Sequence, residues 1–328
     1  MSKINLVTGA NGHLGNNLVR ALLERGETVR ASVRNPNNRE PFVGLNCEVV
    51  QADLLDKPSL LRAMAGVDTL YQVAAVFKHW ARDPQKEIIE PNFQGTRNVL
   101  EAAAEQGVRR VVYVSSEGAM DGHISPVDET FWKTNYHGNP YFRSKTETER
   151  LALKLGSELG LDLLTVLPSA IVGPNIIQLT PTMDVLRQAL NNDVFVDVNF
   201  SFNFVDARDV AAGMIAAAEN GRSAERYLLA TEQPVNIRRI LELAQELKSD
   251  VKIPPRAPKW VLLLIASGME LAAKLTGKPP QLLRSQVALF YDNPRIMNIS
   301  KARTELGYDP RDGETAVRQA LTYLREAH

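Results

Sequence analysis

Tyr141 and Lys145 stand four residues apart in Tyr-Phe-Arg-Ser-Lys, a spacing that on a helix sets a phenol and an ammonium on one face. A free tyrosine titrates near pH ~10, too high for efficient proton transfer at neutrality, and a neighbouring cation lowers that value by favouring the phenolate. The pair alone is a weak signal, because such combinations arise often on surface helices. Its position strengthens it. The run Val111-Val112-Tyr113-Val114 ends in Ser115-Ser116, where a serine hydroxyl can hydrogen-bond a substrate oxygen. The alternative for both serines is turn formation or capping. We read Ser116 as catalytic and Ser115 as structural.

A second constellation suits an anion. Thr8-Gly9-Ala10-Asn11-Gly12-His13-Leu14-Gly15 follows a strand pattern directly and opens a helix pattern. Gly9 permits a tight turn, Gly12 lets the backbone approach a pyrophosphate, and Gly15 lets the helix pack closely. The helix N-terminus then offers free N–H groups and a partial positive charge. A glycine-rich turn without ligand is the plainer alternative, and the strand before it and helix after it weigh against that. Asn11 and His13 are expected to contribute mainly backbone groups, and Leu14 is expected to belong to the same cofactor-binding loop. No second His, Asp or Cys sits near His13 at metal-ligand spacing, so no metal site is expected.

The end of the second strand decides between two dinucleotides, because an acid there accepts from the ribose 2′-OH and repels a 2′-phosphate. Here Thr28-Val29-Arg30-Ala31-Ser32-Val33-Arg34-Asn35 carries no acid. Arg34 is placed for a bidentate phosphate contact, with Arg30 or Arg39 assisting, so NADP is expected over NAD. The alternative is an ordinary solvated arginine. Asp53-Leu54 can bracket the adenine, while Asp53 can equally cap the helix containing Pro58. Val73-Ala74-Ala75 places small residues where a ribose would lie against the backbone, or where the core simply packs.

These residues need a scaffold, and the hydrophobic pattern supplies one. Ile4 to Thr8, Thr28 to Val33, Cys47 to Gln51, Thr69 to Val73, Arg110 to Ser115 and Leu163 to Leu167 read as strands. Leu14 to Arg25, Ser59 to Ala65, Phe93 to Gln106 and Phe142 to Leu159 read as intervening helices. The series predicts an α/β fold: a Rossmann-type doubly wound parallel sheet with right-handed crossovers, its ligand beyond the carboxyl ends of the strands. Residues 1–173 form the NADP-binding part, with 203–247 returning to it through a helix over Val205 to Glu219 and a strand over Tyr227 to Ala230. Residues 174–202 and 248–328 are expected to form mainly a smaller C-terminal substrate-binding lobe, in which Pro254, Pro255, Pro258, Pro279 and Pro280 punctuate apolar helices.

Composition narrows the function. The 328 residues carry 38 Lys plus Arg and 38 Asp plus Glu, which implies no basic face and disfavours nucleic acid as a partner. Cys47, the one cysteine, cannot form an internal disulfide, and a strand begins almost at once after Met1, so a cytoplasmic location is expected. The apolar stretch Trp260 to Ala266 is too short to span a bilayer. It reads as a buried helix, with a helix touching membranes or greasy substrates as the alternative.

The order of Thr8-Gly-x-x-Gly-x-x-Gly15, Asp53-Leu54, Val73-Ala74-Ala75, Asn92 in Asn-Phe-Gln-Gly-Thr-Arg-Asn98, Ser115-Ser116, Tyr141-x-x-x-Lys145 and Pro168-Ser-Ala-Ile-Val-Gly-Pro174 resembles that of extended short-chain dehydrogenases over essentially the whole chain. Val29 to Arg34, Thr276-Gly-Lys-Pro-Pro280 and Ser300 to Tyr308 are most similar to the branch containing dihydroflavonol 4-reductases, cinnamoyl-CoA reductases, 3β-hydroxysteroid dehydrogenases and hopanoid-associated sugar epimerases. The resemblance implies that Tyr141 is the general acid in carbonyl reduction and general base in the reverse. It implies that Lys145 holds the nicotinamide ribose and depresses the tyrosine pKa, that Ser116 polarises the substrate oxygen, and that Pro168 to Ile171 back the nicotinamide. Val205-Asp206 belongs to a motif bridging the lobes. Three positions depart from the pattern: Glu117 in place of a small or apolar residue, His13 in place of an aromatic one, and Leu167 where an arginine commonly precedes Pro168.

The expected substrate walls are Val76 to Arg82, Glu117 to His123, Phe131 to His137, Asn175 to Asp184 and residues 194–204. They are rich in Phe, Trp, Tyr and Met, which suits a bulky, largely apolar ketone or aldehyde, although some of these aromatics would fill the lobe interface instead. A sugar-nucleotide epimerase or dehydratase is the alternative, with Arg187, Arg284 and Arg295 available to a diphosphate. A non-catalytic NADP-sensing protein is the third reading, and the intact Tyr141 and Lys145 oppose it. Relatives of this kind are monomers or homodimers that pair the helices near Phe93 and Phe142.

Overall fold

A computed structural model describes residues 3–122 and 125–326. The first half alternates strand and helix: β1 (Ile4–Thr8), α1 (His13–Glu24), β2 (Thr28–Val33), β3 (Glu48–Gln51), α2 (Lys57–Met64), β4 (Val67–Gln72), α3 (Glu90–Glu105), β5 (Arg110–Val114), α4 (Pro140–Glu158) and β6 (Asp162–Pro168). Then come β7 (Ala170–Val172), α5 (Pro181–Leu190), β8 (Ser201–Phe202), β9 (Phe204–Asp206), α6 (Ala207–Asn220), β10 (Arg226–Leu229) and β11 (Val235–Asn236). Five helices close the chain: α7 (Ile237–Leu247), α8 (Lys259–Thr276), α9 (Arg284–Phe290), α10 (Ser300–Leu306) and α11 (Gly313–Glu326).

Seven strands join in the order β10-β6-β5-β4-β1-β2-β3, every pairing parallel. All five residues of β5 are buried, as a strand covered on both faces requires. One face carries α1, α6 and α10, and the other α2, α3 and α4. Strand order reverses between β1 and β4, which opens a crevice at their carboxyl ends. The expected doubly wound sheet is therefore present.

A second apolar cluster joins α5, α7, α8, α9 and α11 around Phe200, Phe204 and Phe290. Two short sheets connect it to the first: β7 pairs with β9, and β8 with β11.

Two local expectations are corrected. Val205 does not start a helix; it lies in β9, and the helix begins after Asp206, whose carboxylate accepts from Arg208 N–H at 2.8 Å. The β-branched residue joins a strand and the acid caps the next helix. The helix around Trp260 is not buried. Only Leu262, Ala266 and Ala273 of α8 are, while Trp260, Leu264, Leu271 and Leu275 face outward, because apolar residues surround the helix and one narrow stripe meets the lobe. Among the described residues no helix is long and apolar enough to cross a membrane.

Candidate active site

The glycine loop sits at the carboxyl end of β1, against β2 and β4. Gly9 adopts φ +62°, the left-handed region that glycine tolerates, and a Cβ there would press on Ala74 Cα at 3.1 Å. Thr8 Oγ1 staples the neighbouring strand end: it accepts from Val73 N–H at 2.9 Å and Ala74 N–H at 3.1 Å and donates to Gln72 Oε1 at 2.8 Å. At Gly15 a Cβ would come within 2.3 Å of the Gly9 carbonyl oxygen, whereas at Gly12 it would meet only that oxygen, at 3.2 Å. Helix α1 starts on Gly12 without a side-chain cap, leaving the N–H groups of His13, Leu14 and Gly15 without intrahelical acceptors. This cradle fits a pyrophosphate.

The side chain of His13 does more than expected. Its Nε2 lies 3.2 and 3.1 Å from the carbonyl oxygens of Gly173 and Pro174, and Asn17 Nδ2 also donates to Pro174 O at 3.0 Å. Burial holds its pKa below the ordinary histidine value, so the neutral ring ties the phosphate loop to the turn that follows β7. Asn11, by contrast, is exposed.

Arg34 follows β2 directly, is exposed and has no ion-pair partner among the described residues. Arg30 is corrected: its guanidinium is held by Glu48 at 2.7 Å and by the Ala63 and Ala65 carbonyls at 2.8 Å each, so it is committed to the sheet edge. The capping alternative for Asp53 also falls. Its Oδ1 accepts from Leu55 N–H at 2.9 Å, and Asp56 occupies the α2 N-cap. Leu54, Ala74, Ala75, Asn92, Thr96, Tyr113, Lys145 and Thr148 line one small recess, which brings Leu54, the segment after β4 and α4 to one place. Pro168 ends β6, and Ile171 lies half-buried in β7 beyond it.

Tyr141 and Lys145 lie in the first turns of α4, where Asn139 caps the helix by accepting from Tyr141 N–H at 3.0 Å. Tyr141 Oη donates to Ser116 Oγ at 3.0 Å. Ser116 Oγ also accepts from Gly118 N–H at 3.0 Å, so one hydroxyl both shapes the turn and faces the phenol. Ser115 turns the other way, donating to buried Glu149 at 2.7 Å. Lys145 Nζ reaches Val114 O at 3.3 Å.

The expected depression of the phenol by Lys145 is absent from this arrangement. Burial pushes Tyr141 up to about 12, Ser116 lowers it and Glu117 raises it. Burial likewise brings Lys145 down to about 8, against an upward pull from Glu149, which weakens the cation that was to act on the phenol.

Two further residues belong to this site, Asn92, named from sequence only as part of a motif, and His79, which lay unnamed within an expected wall. Asn92 accepts from Val76 N–H at 2.8 Å and donates to Ser144 Oγ at 2.9 Å, fixing the segment after β4 against α4. His79 tilts over the Tyr141 ring at 4.5 Å, with Phe77 edge-on at 4.9 Å; burial brings His79 down to about 4, so it is neutral at pH 7. The only sequence signal for either was its place within a motif or wall segment. Phe142, Phe200, Phe202 and Phe290 continue the aromatic lining. Of the arginines considered for a diphosphate, Arg187 pairs with Asp184 at 2.6 Å and Arg284 with Glu270 at 2.8 Å. His123, within an expected wall, lies outside the described residues.

Residues 5–230 match the model of the NAD dependent epimerase/dehydratase family. Sterol demethylase protein B of Methylococcus capsulatus is 34% identical over 98% of each chain. A putative dihydroflavonol 4-reductase of Synechocystis is 31% identical, covering 96% of this chain and 91% of the relative. Among solved structures, gox2253 superposes with a TM-score of 0.85 at 32% identity over 99% of this chain and 98% of its own. UDP-glucose 4-epimerase of Thermotoga maritima, at 19% identity and TM-score 0.77 over 99% of each chain, shares the fold.

Proposed function

The chain belongs to the NAD dependent epimerase/dehydratase family, and from that premise we propose that it is an NADP-dependent oxidoreductase reducing a ketone or aldehyde of a bulky, largely apolar small molecule to the alcohol. The observation that carries this reading is the 3.0 Å hydrogen bond from Tyr141 Oη to Ser116 Oγ, on α4 and the end of β5, at the sheet edge that holds the glycine loop. The cofactor class follows from the family, whose enzymes use nicotinamide nucleotides; the 2′-phosphate form is favoured by exposed, unpaired Arg34 and the lack of an acid beside it.

A bound nicotinamide would supply the hydride. Gly12 and the N-terminus of α1 would hold the pyrophosphate, Asp53 and Leu54 the adenine, Val73 to Ala75 the ribose backbone side, and Pro168 and Ile171 the ring. Ser116 would hydrogen-bond the substrate oxygen and polarise it. Tyr141, whose burial keeps the phenol protonated at neutral pH, is in the form needed to deliver a proton to that oxygen as it becomes an alkoxide. Lys145 would hold the ribose hydroxyls and stabilise the phenolate left behind. In alcohol oxidation the same phenolate would take the proton back.

The aromatic wall from Phe77 and Phe142 to Phe290 and the names of the dihydroflavonol and sterol relatives support a bulky apolar substrate. Of the three arginines that a nucleotide-sugar diphosphate could use, Arg187 and Arg284 are paired with Asp184 and Glu270, and only Arg295, which meets Glu117 at 3.2 Å, keeps most of its donors. The test is incubation of purified protein with NADPH or NADH and a panel of ketones, aldehydes and nucleotide sugars. Net NADPH oxidation with a ketone or aldehyde, faster than NADH oxidation, is expected. Conversion of a nucleotide sugar without net cofactor consumption would establish the epimerase reading instead, and NADPH binding without any turnover would indicate a sensor.

A further inference from the structure

We propose that Lys133 and Arg295 form an anion-binding subsite at the wall of the substrate pocket, and that the carbonyl compound presented to Ser116 and Tyr141 carries a carboxylate. This rests on the reductase reading and narrows its substrate class.

Residues around Trp132 run antiparallel to those around Met120, with Lys133 N–H on Ala119 O at 2.9 Å. Trp132 is covered by the guanidinium groups of Arg150 and Arg226. Alternation along an extended segment sends the next side chain to the other face, and Lys133 Nζ accordingly stands 5.2 Å above the Phe142 ring. Phe142 abuts Tyr141, His79 and Phe290. The ammonium is thus fixed on the aromatic wall beside the candidate proton donor.

Lys133 is only 4% exposed, yet its ammonium has no hydrogen bond and no ion pair among the described residues. Arg295, 9% exposed, leans on Phe290 and meets Glu117 Oε2 at 3.2 Å, which leaves most of its five donors uncommitted. That Glu117 oxygen has no well-directed hydrogen bond either. Glu117 immediately follows Ser116, so the cluster adjoins the reacting oxygen. Arg295 disfavours charge on Lys133, while Glu117 and Asp121 favour it from beyond ion-pair distance. The lysine stem is packed away while its ammonium finds no protein acceptor, and an incoming carboxylate would supply one. Glu117 is engaged with Arg295 and no carboxylate among the described residues is within ion-pair distance of Lys133, so a singly charged carboxylate can take the contact that the ammonium lacks. A doubly charged phosphate would leave excess negative charge beside Glu117.

The test compares benzoylpropionate with its methyl ester as substrates of the NADPH-loaded enzyme, in wild type, Lys133→Met and Lys133→Arg. The acid should be favoured by at least about tenfold in kcat/KM. Lys133→Met should erase that preference through KM, leaving kcat and the ester reaction unchanged, and Lys133→Arg should restore most of it. Equal use of acid and ester by wild type, or a Lys133→Met enzyme slowed alike on both, would overturn the proposal while leaving the reductase reading intact. If neither ketone is reduced, binding to the NADP-loaded protein decides by tryptophan quenching. Tighter binding of benzoylpropionate than of benzoylpropionamide, lost in Lys133→Met, supports the subsite; no preference overturns it. UDP-glucose binding that depends on Lys133 more than benzoylpropionate binding does would overturn the carboxylate assignment.

Discussion

Alanine at Gly12 and alanine at Gly15 should damage the protein in opposite ways, although the two glycines lie in one loop. A methyl at Gly15 would stand 2.3 Å from the Gly9 carbonyl oxygen and 3.0 Å from Ala10 Cα. Both obstacles are backbone, so helix α1 and the loop must part by roughly an ångström, an overpacking cost of ~1–3 kcal/mol. In larger domains each kcal/mol lowers Tm by about 2–4 °C, and a fall of several degrees is expected. A methyl at Gly12 meets only the Gly9 oxygen, at 3.2 Å, and otherwise faces open space. Its effect falls mainly on the approach to the helix N-terminus: a smaller fall in Tm than for Gly15→Ala, with the Kd for NADPH raised about tenfold or more, ~1.4 kcal/mol. Thermal melting without nucleotide and a fluorescence titration with NADPH separate the two. Melting of Gly12→Ala as low as that of Gly15→Ala, or tight NADPH binding by Gly12→Ala, would refute the assignment of the cradle.

Arg34→Ala should reduce the preference for NADPH over NADH by about tenfold or more in kcat/KM, the scale of a hydrogen bond to a charged group; an unchanged ratio would contradict the NADP reading. The two serines should separate stability from turnover. Ser115→Ala removes a 2.7 Å bond to buried Glu149 and should cost ~1–2 kcal/mol with little loss of rate per folded molecule, whereas Ser116→Ala should lower kcat ~100-fold with a smaller change in Tm. Lys145→Met should raise Tm at pH 7 while abolishing turnover. The folded chain releases this proton at about 8, well below an ordinary lysine at 10.5, so between those values the unfolded chain binds more protons and stability rises with pH. Below them the charged lysine costs the fold up to ~3 kcal/mol, and a Lys145→Met protein melting lower at pH 7 would count against that.

Much of this arrangement was legible in the residues because the pattern and the chemistry coincide. β1 and β2 begin and end where the β-branched runs do, since strands buried on both faces leave few other solutions. The glycine loop was legible for a similar reason: each glycine answers a local steric demand. What escaped depends on long-range partners. Arg30 in β2 and Arg34 just beyond its end look alike in the sequence, and only the neighbouring Glu48 and the α2 carbonyls show that Arg30 is occupied. His13 looked like backbone because its acceptors, Gly173 and Pro174, lie some 160 residues away. Val205 lost its place in a helix to pairing with Ile171. The outward face of α8 was illegible because a helix apolar all round does not announce which stripe is covered.

The central claim is that Tyr141 delivers the proton, and Tyr141→Phe tests it most directly. The substitution keeps the ring against His79 and Phe77 and removes only the hydroxyl that reaches Ser116. With whichever ketone or aldehyde wild type reduces, kcat should fall about 10²–10⁴-fold while Tm and the Kd for NADPH stay close to wild type. A Tyr141→Phe enzyme that folds, binds NADPH and turns over at the wild-type rate would contradict the account.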